Sequence, residues 1–453
     1  MGWCVNGRAI RKSWRGMMRD FRDIPTFAWI SILLCVFEGF IAFAIDLNLM
    51  TFFHQKFSLS TETAGQFYGM QGILALLLTL PGGVIMDKLG TRTTVIAGFV
   101  AATVARLILA FSSSETVAMA TLSLGVALGS GLISLSIWIS FDRIQGRNAK
   151  NMAYSLLYCS TNLGDVLASW ANPLMVDVGG FNQFQFMFFC TAIVALIGLV
   201  LALIFFWPPD IDDIIEMKPN GEQPVVLGYF DVFYQRAFWR SFCLAMVFLP
   251  VRTMFRHLNS IVPVYMQNLY GPTVDYGFAV GINPFGVIIL SPLVGFAFRD
   301  VKDPLPLIFI GTLISALSPL PMLLWRPAGE DWPVWMYTSS FTIGEVLYSP
   351  KLSQLAIAIP PTAQKGLYST LIMLPSVIGT LFSGFQAGWL LEMFCPDSVT
   401  VNYDYWGTFC CANLWLPVMA VALLTDVLLS CTGRFIVGDP EKEESVEMLE
   451  LEE

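Results

Sequence analysis

Glu345 stands in the middle of "FTIGEVLYSPKLSQLAIAIPP", residues 341 to 361, an otherwise apolar run. A carboxylate at the centre of a lipid-spanning helix costs about 2.5–3.5 kcal/mol on insertion scales. Three roles would justify it: binding an amine, carrying a proton, or pairing with a buried base. A low dielectric disfavours the charged form of a carboxyl, which suits a proton carrier. Glu38 in "CVFEGFIAF" is a second such acid, with Gly39 beside it to admit a neighbouring helix. Arg252 and Arg256, four residues apart in "FLPVRTMFRHLNSIVPVYMQ", share a helical face. Two guanidiniums on one face suit a carboxylate or phosphate, or would neutralise the glutamates. Tyr154, Tyr158, Asn162, Asp165 and Ser169 step by four, four, three and four. They form a polar face that lines a cavity or bonds a neighbouring helix. Lys351, six residues beyond Glu345, serves either a gate salt bridge or a snorkelling anchor.

Other chemistries are not encoded. His54 and His257 are too few for a metal cluster, and no Cys/His spacing suggests one, so no metal is expected. No nucleotide-binding loop or nucleophile constellation is present, so neither an enzyme nor a cofactor is expected. The net charge of −9 is mostly a tail effect: "DPEKEESVEMLELEE" holds eight acids and one lysine. The remainder is nearly balanced, which leaves no footprint for nucleic acid.

The elements that must position these groups follow from composition. Hydrophobic residues make up 55% of the chain and charged ones only 13%, against about 25% charged in soluble domains. Apolar runs of about 20 residues, long enough to span a bilayer, recur throughout. They predict an all-α polytopic membrane protein with twelve transmembrane helices. The first six fall near 26–50, 62–85, 93–112, 117–141, 151–176 and 183–207. The second six fall near 237–258, 275–298, 304–325, 333–359, 366–391 and 405–431. The expected organisation is a basic N-terminus (1–25), a six-helix bundle (26–207), a linker (208–236), a second six-helix bundle (237–431) and an acidic tail (432–453). Prolines 284, 292, 350 and 375 fall inside spans, where each removes a helix hydrogen bond. Cys395, Cys410 and Cys411 flank one loop and would permit a disulfide there.

Lysine and arginine orient the chain. With these spans, nineteen basic residues fall on the side of the termini and only Lys56 and Arg326 on the other. Both termini and the linker are therefore expected in the cytoplasm. Four bases (Arg106, Arg252, Arg256, Lys351) and four acids (Glu38, Asp46, Asp165, Glu345) fall within spans. Equal numbers of opposite charge suggest pairing around a shared polar cavity.

"GGVIMDKLGTRTTV" stands between the second and third spans. Its Gly83, Asp87, Lys88, Gly90 and Arg92 resemble the signature loop of the major facilitator superfamily. A worn copy, "GFAFRDVKDP", follows the eighth span, as a duplicated carrier requires. The resemblance implies the major facilitator fold, two six-helix pseudo-symmetric bundles that rock about a central site. Several spans further resemble the proton-coupled oligopeptide transporter branch. "GEVLYSP" matches its G-E-x-x-x-S-P helix at Gly344, Glu345, Ser349 and Pro350. "INPFGVIILSP" is similar to its N-P helix at Asn283, Pro284 and Pro292, and "YSLLYCSTNLG" to its F-Y-x-x-x-N-x-G helix at Tyr158, Asn162 and Gly164. The first span departs from that branch: Cys35 and Gly39 replace an acid and an arginine, and only Glu38 and Phe40 match. No lysine stands near Ile133 and Ser134, where the branch carries one. The chain reads as a divergent relative.

The resemblance implies a secondary active transporter of a small organic solute, amino acids or short peptides first, coupled to protons. Facilitative or symport carriage of sugars or organic anions, and a non-transporting sensor, are the alternatives. The partners expected are a solute, protons and the bilayer, in a chain that is monomeric and resides in a plasma or endolysosomal/vacuolar membrane. Neutralising Glu345 (E345Q) is expected to abolish substrate-driven uptake while leaving folding intact. Unaffected uptake in reconstituted vesicles would remove this residue from the site.

Overall fold

The computed structural model describes residues 21–141, 144, 147–176, 183–209, 234–271, 274–298, 301, 303–325, 330–358, 365–396 and 411–437. Among them there is no strand. The first six long helices are α1 (Thr26–Thr51), α2 (Thr61–Leu89), α3 (Thr91–Phe111), α4 (Glu115–Phe141), α5 (Arg147–Val176) and α6 (Gln183–Phe205). The next six are α7 (Arg236–Ser260), α8 (Tyr276–Ala297), α9 (Leu305–Leu324), α10 (Trp332–Ala358), α11 (Lys365–Phe394) and α12 (Trp415–Val437). Eight of the described helices are long and apolar enough to cross a membrane by length and composition alone. These twelve helices match the twelve predicted spans. Their boundaries differ most at α12, which continues to Val437 rather than ending near 431.

Local sequence sets the ends. Ser60 caps α2 through its hydroxyl, which accepts from the Thr63 N–H at 3.1 Å. Asp275 caps α8 by accepting from the Phe278 N–H at 3.3 Å. Gly90 separates α2 from α3 with φ 79°, a left-handed conformation that glycine adopts without a Cβ penalty. Because α2 continues to Leu89, Asp87 lies in its last turn rather than in a loop. The side chains of Asp87, Lys88 and Pro375 fall outside the described residues, as do Arg299 and Lys302 of the second loop. Arg92 is described: it donates to the Phe206 and Leu203 carbonyls at 3.0 and 2.8 Å and lies 3.6 Å over the Trp207 ring. That ties the start of α3 to the end of α6. Two helices are interrupted: α4 by a π-turn at Thr121–Val126, and α9 at Ser318–Pro319.

The chain divides into two compact units whose limits cut through helices. The first comprises residues 1–44, 77–168 and 174–221; the second comprises 45–76, 169–173 and 222–453. The expected 26–207 and 237–431 bundles follow chain order instead. The second unit takes in the C-terminal end of α1, the N-terminal part of α2 and a turn of α5, because these pack on α7, α8 and α11.

In lipid, apolar surface gives helices little reason to associate, so small residues and interhelical hydrogen bonds carry the packing. The first unit has a core of Phe99, Ile133, Ile137, Phe141, Leu157 and Phe206. There α1 meets α5 backbone to backbone: a Cβ on Gly39 would lie 2.7 Å from the Thr161 carbonyl oxygen. In the second unit α2 meets α11 in the same way, Gly65 against Gly388 and Gly69 against Leu381, each at 2.7 Å from a would-be Cβ. A disulfide joins Cys395, just past α11, to Cys411, and Asn268 donates to the Cys395 carbonyl at 2.8 Å. Replacing Gly39 with leucine is expected to force α1 and α5 apart at a cost of about 1–3 kcal/mol. A thermal melt in detergent reads this directly; an unchanged Tm would mean the two backbones are not in contact.

Candidate functional site

Within the second unit, α8 and α10 bring the central acid and its donor together. The Glu345 Oε2 accepts from Asn283 Nδ2 at 2.7 Å, and the same amide lies 3.3 Å from Thr342 Oγ1. Thr342 in turn donates to the Thr338 carbonyl at 2.7 Å, which leaves its oxygen free to receive the amide. Asn283 is 2% exposed, while Glu345 is partly open. Arg252, exposed on α7, acts electrostatically on Glu345. Of the two arginines of the seventh span, Arg252 is the one whose charge acts on Glu345. Pro284 and Pro292 lie inside α8, and Pro350 inside α10, so each removes one N–H from the hydrogen-bond ladder of its helix. Lys351 sits half-buried further along α10.

Arg256 turns to a different group. Its guanidinium lies 3.5 Å from Asp46 Oδ2, which also accepts from Asn259 Nδ2 at 2.6 Å. The Tyr68 phenol lies against both charges. Nearby, Tyr276 donates to Asn48 Oδ1 at 2.6 Å and Asn48 donates to Asn172 Oδ1 at 2.8 Å, which links α8, α1 and α5. Gln55 and Gln267 bond at 3.1 Å, and Thr61 bonds Glu392 at 2.5 Å. His257 is buried against Gln386 at 3.2 Å. These contacts make one polar seam along the ends of α1, α2, α5, α7, α8 and α11. Sequence reasoning picked out Asp46 and Arg256 but not Tyr68, Asn48, Asn172 or Tyr276, since neutral polar residues at membrane depth carry no charge signal.

The first unit holds Glu38, 8% exposed, with the Ser134 hydroxyl on its carboxyl and Arg106 as its electrostatic partner. Arg106 is fully buried and donates to the Ala102 and Ile41 carbonyls at 2.9 and 2.7 Å. Asp165 reaches the same neighbourhood: a Cβ on Gly39 would lie 3.3 Å from its Oδ1. Cys35 and Thr161 meet there at 3.1 Å. Tyr154 stacks on Trp138 with centroids 5.4 Å apart, and Asn162 donates to the Tyr158 carbonyl at 2.9 Å within α5. The sequence reading counted four acids inside spans. That count left out Asp426 of the last predicted span, which is buried on α12 against Thr312 at 2.6 Å.

A family model, the Major Facilitator Superfamily, matches residues 27–384. The chain belongs to that superfamily. Among curated proteins it is similar to multidrug resistance protein MdtH of Photorhabdus laumondii, 25% identical over 33% of this chain and 36% of that one. It is likewise 23% identical to lysosomal dipeptide transporter MFSD1 of Homo sapiens, over 41% of this chain and 39% of that one. The matches thus span little more than a third of these relatives. Its fold is that of a POT family transporter crystallised with 5-aminolevulinic acid: TM-score 0.71, 17% identity, 92% of this chain and 99% of that one.

The two arginines should separate in a mutant cycle. R252A is expected to act on solute handling without lowering stability. R256A and D46A are expected to destabilise non-additively, with a coupling of roughly 0.2–1 kcal/mol because the pair is partly exposed. Thermal unfolding of the two single variants and the double variant measures it, and strict additivity would show that the pair does not interact.

Proposed function

We propose that this protein is a secondary carrier of small zwitterionic solutes, amino acids or short peptides, driven by protons and working by alternating access. The observation that carries the reading is the Glu345–Asn283 pair with Arg252 in electrostatic reach. An acid and a base on facing helices complement the amine and carboxylate of a zwitterion. The same acid can exchange a proton when the solute leaves, which is the minimal linkage between the two fluxes. The dipeptide carriage named for MFSD1 and the 5-aminolevulinic acid, itself an amine and a carboxylate, named for the POT family structure support this class.

Alternating access is supported by the polar seam of the second unit. In the orientation that the lysine and arginine distribution favours, the seam lies toward the non-cytoplasmic face. A carrier closed there and opening toward the cytoplasm would hold its gate with replaceable hydrogen bonds such as Tyr276–Asn48–Asn172 rather than with a sealed apolar core. The 26–207 and 237–431 segments are then the two rocking halves, and the signature loop around Gly90 and Arg92 is the hinge that α3 and α6 share. The exposed Arg252 also favours organic anions as a second reading, in which Glu345 serves the proton alone.

Uptake into proteoliposomes under an imposed inward proton gradient tests this directly, with labelled dipeptides, amino acids, sugars and organic acids compared. Accumulation of dipeptides or amino acids that collapses with the gradient is the expected outcome. Gradient-independent flux of sugars would refute the assignment, and saturable binding without flux would favour a sensor.

A further inference from the structure

Asp426 takes no part in the site built around Glu345, yet it is a buried acid with one oxygen unpartnered. It is 5% exposed on α12, its Oδ1 lies 2.6 Å from Thr312 Oγ1 of α9, and its Oδ2 is buried without a hydrogen-bond partner. Among the described residues no cation pairs with it. Between Leu305 and Leu324, α9 carries no titratable side chain. On α7, Arg236 lies over Phe435, Arg240 donates to the Ile436 carbonyl, Arg252 acts on Glu345, Arg256 on Asp46, and His257 meets Gln386. Cys243, half-buried, lies two turns before Val251, the α7 residue whose N–H bonds Thr425 at 3.0 Å. On α12 itself, Arg434 pairs with Asp303 at 3.0 Å and Cys431 is exposed.

Counting protons assigns the state of this carboxyl. The Thr312 hydroxyl has one proton and three oxygens in range: the Ile308 and Phe309 carbonyls at 3.1 and 3.0 Å, and Asp426 at 2.6 Å. Other helical threonines here bond back to their own turn, Thr103 to Phe99 at 2.8 Å and Thr338 to Val334 and Trp335 at 3.1 Å. If Thr312 does the same, the 2.6 Å contact requires a proton from Asp426, and that distance is ordinary for O–H···O. An ionised carboxylate would instead keep one bare buried oxygen and rest on two neutral donors, the Thr312 hydroxyl and its own backbone N–H, which a water-poor site penalises.

A close seam connects this acid with the first. Gly311, next to Thr312, faces Gly344, next to Glu345. A Cβ on Gly311 would lie 2.8 Å from the Gly344 carbonyl oxygen and 2.9 Å from the Tyr348 nitrogen. With no side chain between the two backbones, a shift of α10 at Glu345 is passed to α9 at Thr312. We propose that Asp426 is a second proton-binding site, one helix removed from Glu345, which holds its proton in the arrangement seen here and releases it to water when α9 and α10 move against each other. This rests on the proton-driven reading above. The step breaks one O–H bond, leaves a carboxylate and needs no co-reactant beyond water.

The test uses the full chain in lipid nanodiscs and compares wild type with D426N, D426E and E345Q. Asparagine can still donate to Thr312 but cannot release a proton, so D426N preserves the contact and removes the chemistry. Infrared difference spectra between pH steps should show a protonated-carboxyl band that D426N removes, that E345Q and D426E retain, and that shrinks as pH rises. A band unchanged by D426N, or one that never responds to pH while the protein stays folded, overturns the proposal. This readout is independent of transport, so it stands whatever solute is carried. In proteoliposomes supplied with a dipeptide, D426N should flatten the pH profile of uptake and D426E should restore it. An unaltered profile in D426N would leave Asp426 as a helix–helix contact and nothing more.

Discussion

A charge inside a bilayer must find a partner within the protein, and that demand organises this molecule. Glu345 meets it with the Asn283 amide and Arg252, Glu38 with Ser134 and Arg106, and Asp46 with Arg256 and Asn259. Each solution joins helices that are far apart in the chain, so polar side chains specify which helices touch. The partner also decides the use. Arg106 is fully buried and tied to two backbone carbonyls, whereas Arg252 is exposed and Glu345 partly open.

The backbone supplies the second condition. Interhelical bonds as short as these need axes close together, and glycine makes that possible. Gly39 at Thr161, Gly65 at Gly388 and Gly311 at Gly344 are positions where a single methyl would collide with a backbone atom. They lie beside the polar groups: Gly39 follows Glu38 and Gly344 precedes Glu345. Removing side-chain bulk and introducing a buried acid are two parts of one arrangement, and they let small helix displacements reach the acid.

How much of this was legible in the chain depends on the kind of signal. The twelve helices were readable because the bilayer demands long apolar runs, and the turn at Gly90 because its conformation suits glycine. Glu345, Glu38 and Arg252 were readable because a charge is conspicuous against lipid-compatible residues. The Tyr276–Asn48–Asn172 chain was not, because asparagine and tyrosine are common enough in spans to pass unnoticed. Asp426 lies in the last predicted span, but with only Ser430 at helical spacing it marks no polar face by sequence.

By itself, then, the sequence determined the element type, the number of spans and the acids that had to be explained, since hydropathy and charge are properties of residues. Only the tertiary structure decided the pairings: Arg256 with Asp46, Asn283 with Glu345, Cys395 with Cys411. Arg252 and Arg256 share a face of one helix, yet the charge of the first acts on Glu345 while the second closes on Asp46 at 3.5 Å. Helical spacing shows which residues point the same way; what they point at depends on packing between distant segments.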